Sequence, residues 1–328
     1  TRKKYQVFVT GTNTTGDTGV TSSLYHTVYD QNFQVNTANE LFDLTVGLHT
    51  DSDAVAKSKE GTGDGVTTKL TFSSRSLMMR EKVNIYRQYA QLLLGNATSQ
   101  FVSPGGSGNE SDKINEALFI NFKRLFVRDG IKRETFAMRF FQTASAAVPG
   151  LDGLGPDGTN NILRGTESGS IIITDVGSAT TIEQSQTGGG VGNLKNAANT
   201  AENLGLLYYQ HGIAVLDLAK VTSGSQKMSG SISAVGNASN SIIIGREGQG
   251  NPEANFIYDF LSSGSIDDII EHISSVRFGS GSQTFLTFQN NTQINSTLVF
   301  CRATADEFNY SSNPTYTDST GRIKVIND

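Results

Sequence analysis

Apolar residues along the chain fall in short runs separated by glycine, asparagine, serine and threonine. Runs of this length, rich in β-branched and aromatic residues, are typical of short strands joined by polar loops. The clearest pattern is a hairpin in which 205–209 (GLLYY) and 213–218 (IAVLDL) are separated by a short loop containing Gly212. The pattern predicts further strands over 5–10, 22–28, 42–48, 69–72, 131–141, 170–175, 229–235, 241–244, 284–288 and 297–301.

Helical spacing of apolar residues occurs in three places and predicts helices over 76–94, 111–128 and 266–276. Ser74 or Ser76 is a suitable N-cap for the first helix and Gly95 a suitable stop. Its predicted apolar face consists of Met78, Ile85, Tyr89, Leu92 and Leu93, and that of the second helix consists of Ile114, Leu118, Phe122 and Leu125. Strands and helices together predict an α+β fold of mostly short antiparallel strands, two or three amphipathic helices and long Gly/Asn/Ser-rich loops.

Glycine and proline divide this pattern into parts. The stretch 149–158 (PGLDGLGPDG) is the strongest break and predicts a boundary between a mixed α/β part with two helices, 1–148, and a mainly β part with one helix, 159–302. The stretch 184–203 is rich in glycine and asparagine and predicts either an exposed loop or a loop that orders against a neighbouring subunit. Residues 303–328 are expected to form an extended C-terminal arm.

The composition is that of a folded protein, and the charge makes some classes of partner unfavourable. Hydrophobic residues make up 36% of the 328 residues and charged residues 17%, while 18 Phe and 10 Tyr supply enough apolar surface for a core. The net charge of −5 disfavours nucleic acid as a partner. A local basic set is interpreted as a solvated or subunit-facing surface, with a nucleic-acid contact as the alternative: Lys123, Arg124, Arg128, Lys132, Arg133 and Arg139. The only cysteine, Cys301, is expected to be a small buried hydrophobe of an apolar strand.

Candidate catalytic and metal-binding patterns are sparse. The four histidines have no metal-ligand spacing, and no G-x-S-x-G or C-x-x-C motif occurs. The loop from Gly61 to Gly65 lacks the lysine of a phosphate-binding loop. A glycosidase needs two carboxylates on separate elements, whereas the acids at 267–268 and at 306–307 are adjacent in sequence, and the first pair is accounted for as a helix start. No apolar run approaches the roughly 18 residues of a membrane span. We therefore expect no enzyme activity, no metal or other cofactor, and no membrane partner.

The C-terminal segment 307–317 is too polar for a core and rich in aromatic residues. Phe308, Tyr310 and Tyr316 are spaced along it, and Pro314 keeps part of it outside a strand ladder. Such a segment suits docking on a sheet edge of another subunit, where alternate side chains fill pockets. The predicted interface residues are Phe308, Asn309, Tyr310, Asn313, Pro314 and Tyr316. The alternative is that the segment folds back over its own sheet.

Three stretches resemble tail or baseplate-associated virion proteins of T4-like contractile-tailed phages, particularly those that infect marine cyanobacteria. They are SLMMREKVNIYRQYAQLLLG (76–95), GLLYYQHGIAVLDL (205–218) and FCRATADEFNYSSNPTYTDSTGRIKVI (300–326). The resemblance implies a structural subunit of the contractile tail, in the baseplate first and the neck or capsid second. It implies other virion proteins as partners, a homo-oligomer or ring within the particle, and assembly in the host cytoplasm. A host-receptor-binding tail module is a further alternative.

Overall fold

The fold is known from a computed structural model of the chain. It describes residues 2–5, 9–10, 24–30, 36–55, 77–103, 112–142, 144–145, 164–165, 170–180, 183–185, 187–222, 261–278, 286–292, 294–302, 311 and 313–323. Contacts divide the chain into two compact units, Thr1–Thr292 and Gln293–Asp328.

Short strands dominate the first unit. They are β1 (Arg2–Tyr5), β2 (Val9–Thr10), β3 (His26–Tyr29), β4 (Glu40–Leu48), β5 (Phe101–Val102), β6 (Lys113–Ile114), β7 (Glu116–Phe122), β8 (Gly130–Ile131), β9 (Ala137–Phe141), β10 (Ala144–Ser145), β11 (Arg164–Gly165), β12 (Ser170–Thr174), β13 (Glu183–Ser185), β14 (Gly189–Asn196), β15 (Asn199–Tyr208), β16 (Ile213–Asp217) and β17 (Leu286–Asn291). The helices are α1 (Leu77–Leu94), α2 (Arg124–Val127), α3 (Leu218–Val221), α4 (Leu261–Ser263) and α5 (Ile266–His272), which continues as a π-helical turn over Ile273–Arg277.

Most strands join one 13-stranded sheet in the order β1-β17-β9-β12-β14-β15-β16-β7-β4-β3-β2, with β13 added to β14 and β8 to β17. Pairing between named strands is antiparallel throughout. The predicted fold of mostly antiparallel strands with few helices is confirmed at this level. Strands that precede 149–158 in the chain pair with strands that follow it, since β9 pairs with β12 and β7 with β16. The sheet therefore does not divide at the predicted boundary. Residues 149–158 themselves lie outside the described part of the chain.

The sheet curves back on itself. The strand order places β1 at one edge of the sheet and β2 at the other. Yet β1 ends at Tyr5 and β2 begins at Val9, only a few positions later in the chain. An extended chain of that length spans at most about 14 Å. A flat sheet with this strand order would separate its edges by about 48 Å, at about 4.8 Å per strand. The two ends of the sheet are therefore close together.

Aromatic contacts across the curve support the same conclusion. Phe122 of β7 and Phe288 of β17 lie 5.5 Å apart by ring centroids, although six strand positions separate β7 from β17 in the sheet order. Phe288 also contacts Phe126 at 4.7 Å and Phe136 at 6.4 Å. These rings form an aromatic core between the two sides of the sheet.

Helix α1 covers part of the other face of the sheet and confirms the predicted helix. Its central Tyr86 is buried, donates from its hydroxyl to the carbonyl of Ile114 at 2.7 Å, and accepts from the backbone N–H of Phe101 at 3.0 Å. A Cβ on Gly47 of β4 would lie 2.8 Å from the Tyr86 nitrogen, so the strand needs glycine there to let the helix approach. The buried face of α1 is rotated about the helix axis from the predicted apolar face, and Leu92 is exposed. The buried residues of α1 are Met79, Lys82, Ile85, Tyr86, Ala90 and Leu93.

The predicted helix over 111–128 is wrong. Residues 113–114 and 116–122 form β6 and β7, and only the short helix α2 follows. Strand β7 lies between β16 and β4, and nearly all of its residues are buried. An apolar run buried on both faces carries no alternation, so its apolar residues at intervals of four also matched a helical face.

The predicted loop over 184–203 is also wrong, because β14 and parts of β13 and β15 occupy it. Its glycines lie where the strands pass close to large side chains. A Cβ on Gly188 would lie 2.6 Å from the Tyr208 ring, and one on Gly190 would lie 2.5 Å from the Arg133 guanidinium. Gly188, which faces the buried Tyr208 ring, is required by this packing, and the glycines that suggested a loop belong to a part of the chain that forms strands.

Other strand predictions have mixed outcomes. The hairpin over 205–218 is confirmed by β15 and β16, with Gly212 at a φ of 65° in the turn. The predicted strand 5–10 is split between β1 and β2 on opposite edges, and 131–141 is split between β8 and β9. The predictions for 69–72, 229–235 and 241–244 fall outside the described residues.

One buried cation connects two helices, and another connects the π-helical turn to β9. The Lys82 ammonium of α1 donates to the carbonyls of Leu261 at 2.6 Å and Ser262 at 3.4 Å. Arg277 donates to the carbonyl oxygens of Phe141 and Gln142, and burial lowers the pKa of its guanidinium to about 9. Both side chains satisfy backbone carbonyls in the interior, which is a structural role.

Candidate functional site

The second unit begins with an exposed apolar segment, residues 294–302. It lies outside any strand or helix, and its large side chains are strongly exposed: Ile294 86%, Leu298 77%, Val299 71% and Phe300 87%. Isolated exposed apolar residues are ordinary, but a run of them is typical of a surface that binds another protein. We refer to residues 294–302 as the apolar segment.

The predicted strand 297–301, and its hairpin with 284–288, are not formed. Strand β17 pairs along one edge with β1 and along the other with β9 and β8. Both edges of β17 are thus already occupied. Cys301, predicted to be buried, is exposed.

The described part of the unit that follows forms turns, in place of the extended arm that was expected. Asn313 accepts the backbone N–H of Thr315 on its side-chain oxygen at 3.0 Å, and its carbonyl accepts the N–H of Tyr316 at 3.2 Å. Pro314 stands at the second position of this turn, where its fixed φ is favourable. Asparagine and proline therefore serve local turn geometry here.

A second turn follows directly. Thr317 and Ile323 form a bridge, and Asp318 accepts from the Thr320 hydroxyl at 2.6 Å and from the backbone N–H of Arg322 at 3.1 Å. These hydrogen bonds, that of the Thr320 side chain first, lower the pKa of the Asp318 carboxyl. Gly321, at a φ of 82°, closes the turn.

The predicted interface residues are only partly placed by the structure. Asn313, Pro314 and Tyr316 are exposed in the first turn. Phe308, Asn309 and Tyr310 lie outside the described residues. The sequence pattern missed the exposed apolar segment, because LVFC has the same pattern as a buried strand.

In the first unit, the most extensively hydrogen-bonded carboxylate is that of Asp175. It accepts the backbone N–H groups of Glu134 at 2.7 Å and Phe136 at 3.0 Å, and the Tyr209 hydroxyl at 3.1 Å. Burial raises the pKa of the Asp175 carboxyl, while these hydrogen bonds oppose the change. It borders a cavity of about 460 Å³, but its oxygens are engaged in holding the loop between β8 and β9, which is a structural role.

His49 and His26 each lie near an acidic side chain. His49 lies in a cavity of about 240 Å³, with Gln100 at 3.2 Å and Asp51 at 3.6 Å from its Nδ1. His26 lies 3.8 Å from Asp267, and burial lowers the pKa of its imidazole. Among the residues that the structure places, no group of three or more His, Cys, Asp or Glu side chains could hold a metal ion. No helix in this part of the chain is long and apolar enough to cross a membrane.

One further surface was missed by the sequence pattern. Leu125, expected on the buried face of a helix, is 94% exposed at the tip of α2. Arg124 and Arg128 flank it, and both are exposed. We refer to residues 124–129 as the Arg–Leu turn. Arg128 has a φ of 62° and a ψ of −117°, an unfavourable conformation for any residue with a Cβ.

This strain gives a testable prediction. Replacing Arg128 with glycine is expected to raise the free energy of unfolding by about 1 kcal/mol, because glycine adopts this conformation without steric cost. Urea unfolding of the full chain measures the change. Arg128→Ala is the matched control, since it removes the same guanidinium but keeps the Cβ. Equal stabilities of the two variants would contradict the strain.

Comparison with protein-family models, curated proteins and solved structures gives no match.

Proposed function

We propose that this chain is a structural subunit of a contractile phage tail, located in the baseplate, and that it acts by interlocking with neighbouring subunits. The observation that supports this most is the apolar segment, whose large side chains are exposed outside any strand or helix. Fully burying one such side chain contributes about 1.5–3 kcal/mol. A partner surface that covered several of them would gain enough to hold two subunits together.

The segment lies outside any strand or helix, which suits addition to a sheet edge in a neighbouring protein. Backbone hydrogen bonds would give affinity, and alternate side chains would fill pockets. The cluster Leu298, Val299 and Phe300 would supply the central anchors. Phe308, Tyr310 and Tyr316, with Asn309, Asn313 and Pro314 between them, would extend the same interface.

Two alternative roles in the particle would depend on the same contacts. A neck or capsid-associated subunit needs similar interlocking, and a host-receptor-binding tail module would use the segment to attach to the particle. The resemblance of 76–95, 205–218 and 300–326 to tail and baseplate proteins favours the baseplate.

The location is tested by electron microscopy of particles from a phage that encodes this chain, labelled with an antibody raised against it. Label at the distal end of the tail is expected. Label at the head–tail junction would favour the neck, label on the tail fibres the receptor-binding module, and unlabelled particles would reject a virion role. An antibody against the major capsid protein controls for accessibility.

The mechanism is tested by a double substitution, Leu298→Ser with Phe300→Ser. We expect incorporation of the chain into purified particles to fall about tenfold or more, because truncating a buried interface anchor costs about 2 kcal/mol or more. Quantitative immunoblotting against the capsid protein measures incorporation. Leu77→Ser with Leu92→Ser is the matched control, since these leucines are 70% and 49% exposed on α1. Equal incorporation of both variants would remove the apolar segment from the mechanism.

A further inference from the structure

The Arg–Leu turn combines an apolar tip with positive charge. Leu125 is 94% exposed and Arg124 86% exposed by its side chain, and Arg128 is exposed on the other side of the tip. The acid of the turn, Asp129, lies 3.8 Å from the Arg124 guanidinium. The two arginines outnumber this one acid, so residues 124–129 carry a net positive charge in a chain of net charge −5.

The base of the turn is firmly held. Phe126 and Val127, next to Leu125, are buried, and Phe126 packs on Phe288 at 4.7 Å. The N–H of Arg128 donates to the Arg124 carbonyl at 2.6 Å, and that of Asp129 to the Asn291 carbonyl at 3.3 Å. A surface fixed before binding loses little conformational entropy on binding, which favours affinity.

The chemistry of the turn indicates the kind of partner. A nucleic acid would use the two arginines through its phosphates but would gain nothing from an exposed leucine. A protein segment with carboxylates beside an aromatic side chain would use all three residues, since arginine pairs with carboxylates and leucine packs on the ring. The geometry therefore favours an acidic, aromatic protein segment.

This chain carries such a segment at 304–310 (TADEFNY), where Asp306 and Glu307 precede Phe308. The comparable sequence ELF at 40–42 is part of β4, and its Phe42 is buried. We propose that the Arg–Leu turn binds residues 304–310 of a second copy of this chain, with Arg124 and Arg128 on the carboxylates and Leu125 against Phe308. This rests on the proposed function, since it names one contact in an assembly of subunits.

The experiment uses a fluorescent peptide of residues 303–312 (ATADEFNYSS) and the full chain carrying Asp306→Asn and Glu307→Gln, so that its own segment competes less. Fluorescence anisotropy measures the dissociation constant at low salt. Adding Leu125→Ser to the chain is expected to weaken binding by about tenfold or more. Arg128→Gly should also weaken it, and this variant relieves a strained φ and so retains the fold. Leu92→Ser, at another exposed leucine, is the matched control.

A peptide carrying Asp306→Asn and Glu307→Gln should bind about tenfold more weakly than the unaltered peptide, and this difference should shrink at high salt because ion pairs are screened. Absence of binding, or equal binding by the Leu125→Ser chain, would overturn the inference. If the antibody labels the tail but the peptide does not bind, only the contact between the Arg–Leu turn and 304–310 is rejected. If the peptide binds but the antibody leaves particles unlabelled, only the virion role is rejected.

Discussion

Replacing Phe288 with alanine is expected to lower the free energy of unfolding by about 3–5 kcal/mol, the usual cost of removing a buried aromatic ring. Phe288 is fully buried on β17 and contacts Phe122, Phe126 and Phe136. Because these rings come from opposite sides of the curved sheet, the cavity left by alanine cannot close without moving several strands. Urea unfolding, followed by far-UV circular dichroism, measures the loss.

Phe300→Ala is the matched control for this prediction, since Phe300 is 87% exposed. The same substitution there should change the free energy of unfolding by less than about 0.5 kcal/mol. A loss below about 1 kcal/mol for Phe288→Ala would mean that the two sides of the sheet do not share this core.

The second large effect is a pH dependence that originates at Asp217. This residue is buried at the end of β16, and burial raises the pKa of its carboxyl from 3.8 to about 6. The folded chain then holds the proton more tightly than the unfolded chain. The contribution of this group to stability is present below pH 4 and is lost as the pH rises to about 6, a change of about 3 kcal/mol.

Asp217→Asn should remove this dependence. The asparagine keeps a side-chain oxygen for the backbone N–H of Ala219, which Asp217 accepts at 3.0 Å, but loses the charge and its contact with Lys220 at 3.6 Å. Between pH 4 and pH 7.5, the stability of the variant relative to the wild type should rise by about 3 kcal/mol. Urea unfolding at both pH values measures this. The stability of the variant itself should still fall with rising pH, but less steeply than that of the wild type, because burial also raises the pKa of the Glu116 carboxyl.

Asp51→Asn controls for the loss of a negative charge, since the Asp51 side chain is 68% exposed. It should change stability by less than about 0.5 kcal/mol at either pH. A relative stability of Asp217→Asn that is the same at both pH values would show that the Asp217 carboxyl is not perturbed in the folded chain.

Elements with strong local patterns were predictable from the sequence. Helix α1 ends just before Gly95, whose φ is 77°. The hairpin of β15 and β16 turns at Gly212. Each element thus combines a regular apolar pattern with a glycine that ends the helix or turns the chain. Strand β7 was mistaken for a helix because burial on both faces removes alternation. The glycines at 188–192 suggested a loop because their neighbours, such as Tyr208, are close only in three dimensions.

The candidate site was predictable only in part, for a related reason. The hairpin predicted between 284–288 and 297–301 is not formed, and β17 pairs instead with β1, β8 and β9. That pairing joins distant parts of the chain, and the pattern of LVFC carries no information about it. Leu125 was assigned to a buried face for the same reason, because its exposure follows from where β7 ends and not from its spacing.

The strand order also constrains how the protein is made. Strand β1 leaves the ribosome long before its partner β17, with Arg2 opposite Gln289. During synthesis, β1 must wait until nearly the whole sheet has been translated. Pairings of such long sequence separation form slowly, because loop closure costs entropy before the contact is made. Pairing of β1 is therefore a late step that requires β17 to be translated, and translation products that end before residue 286 would lack it.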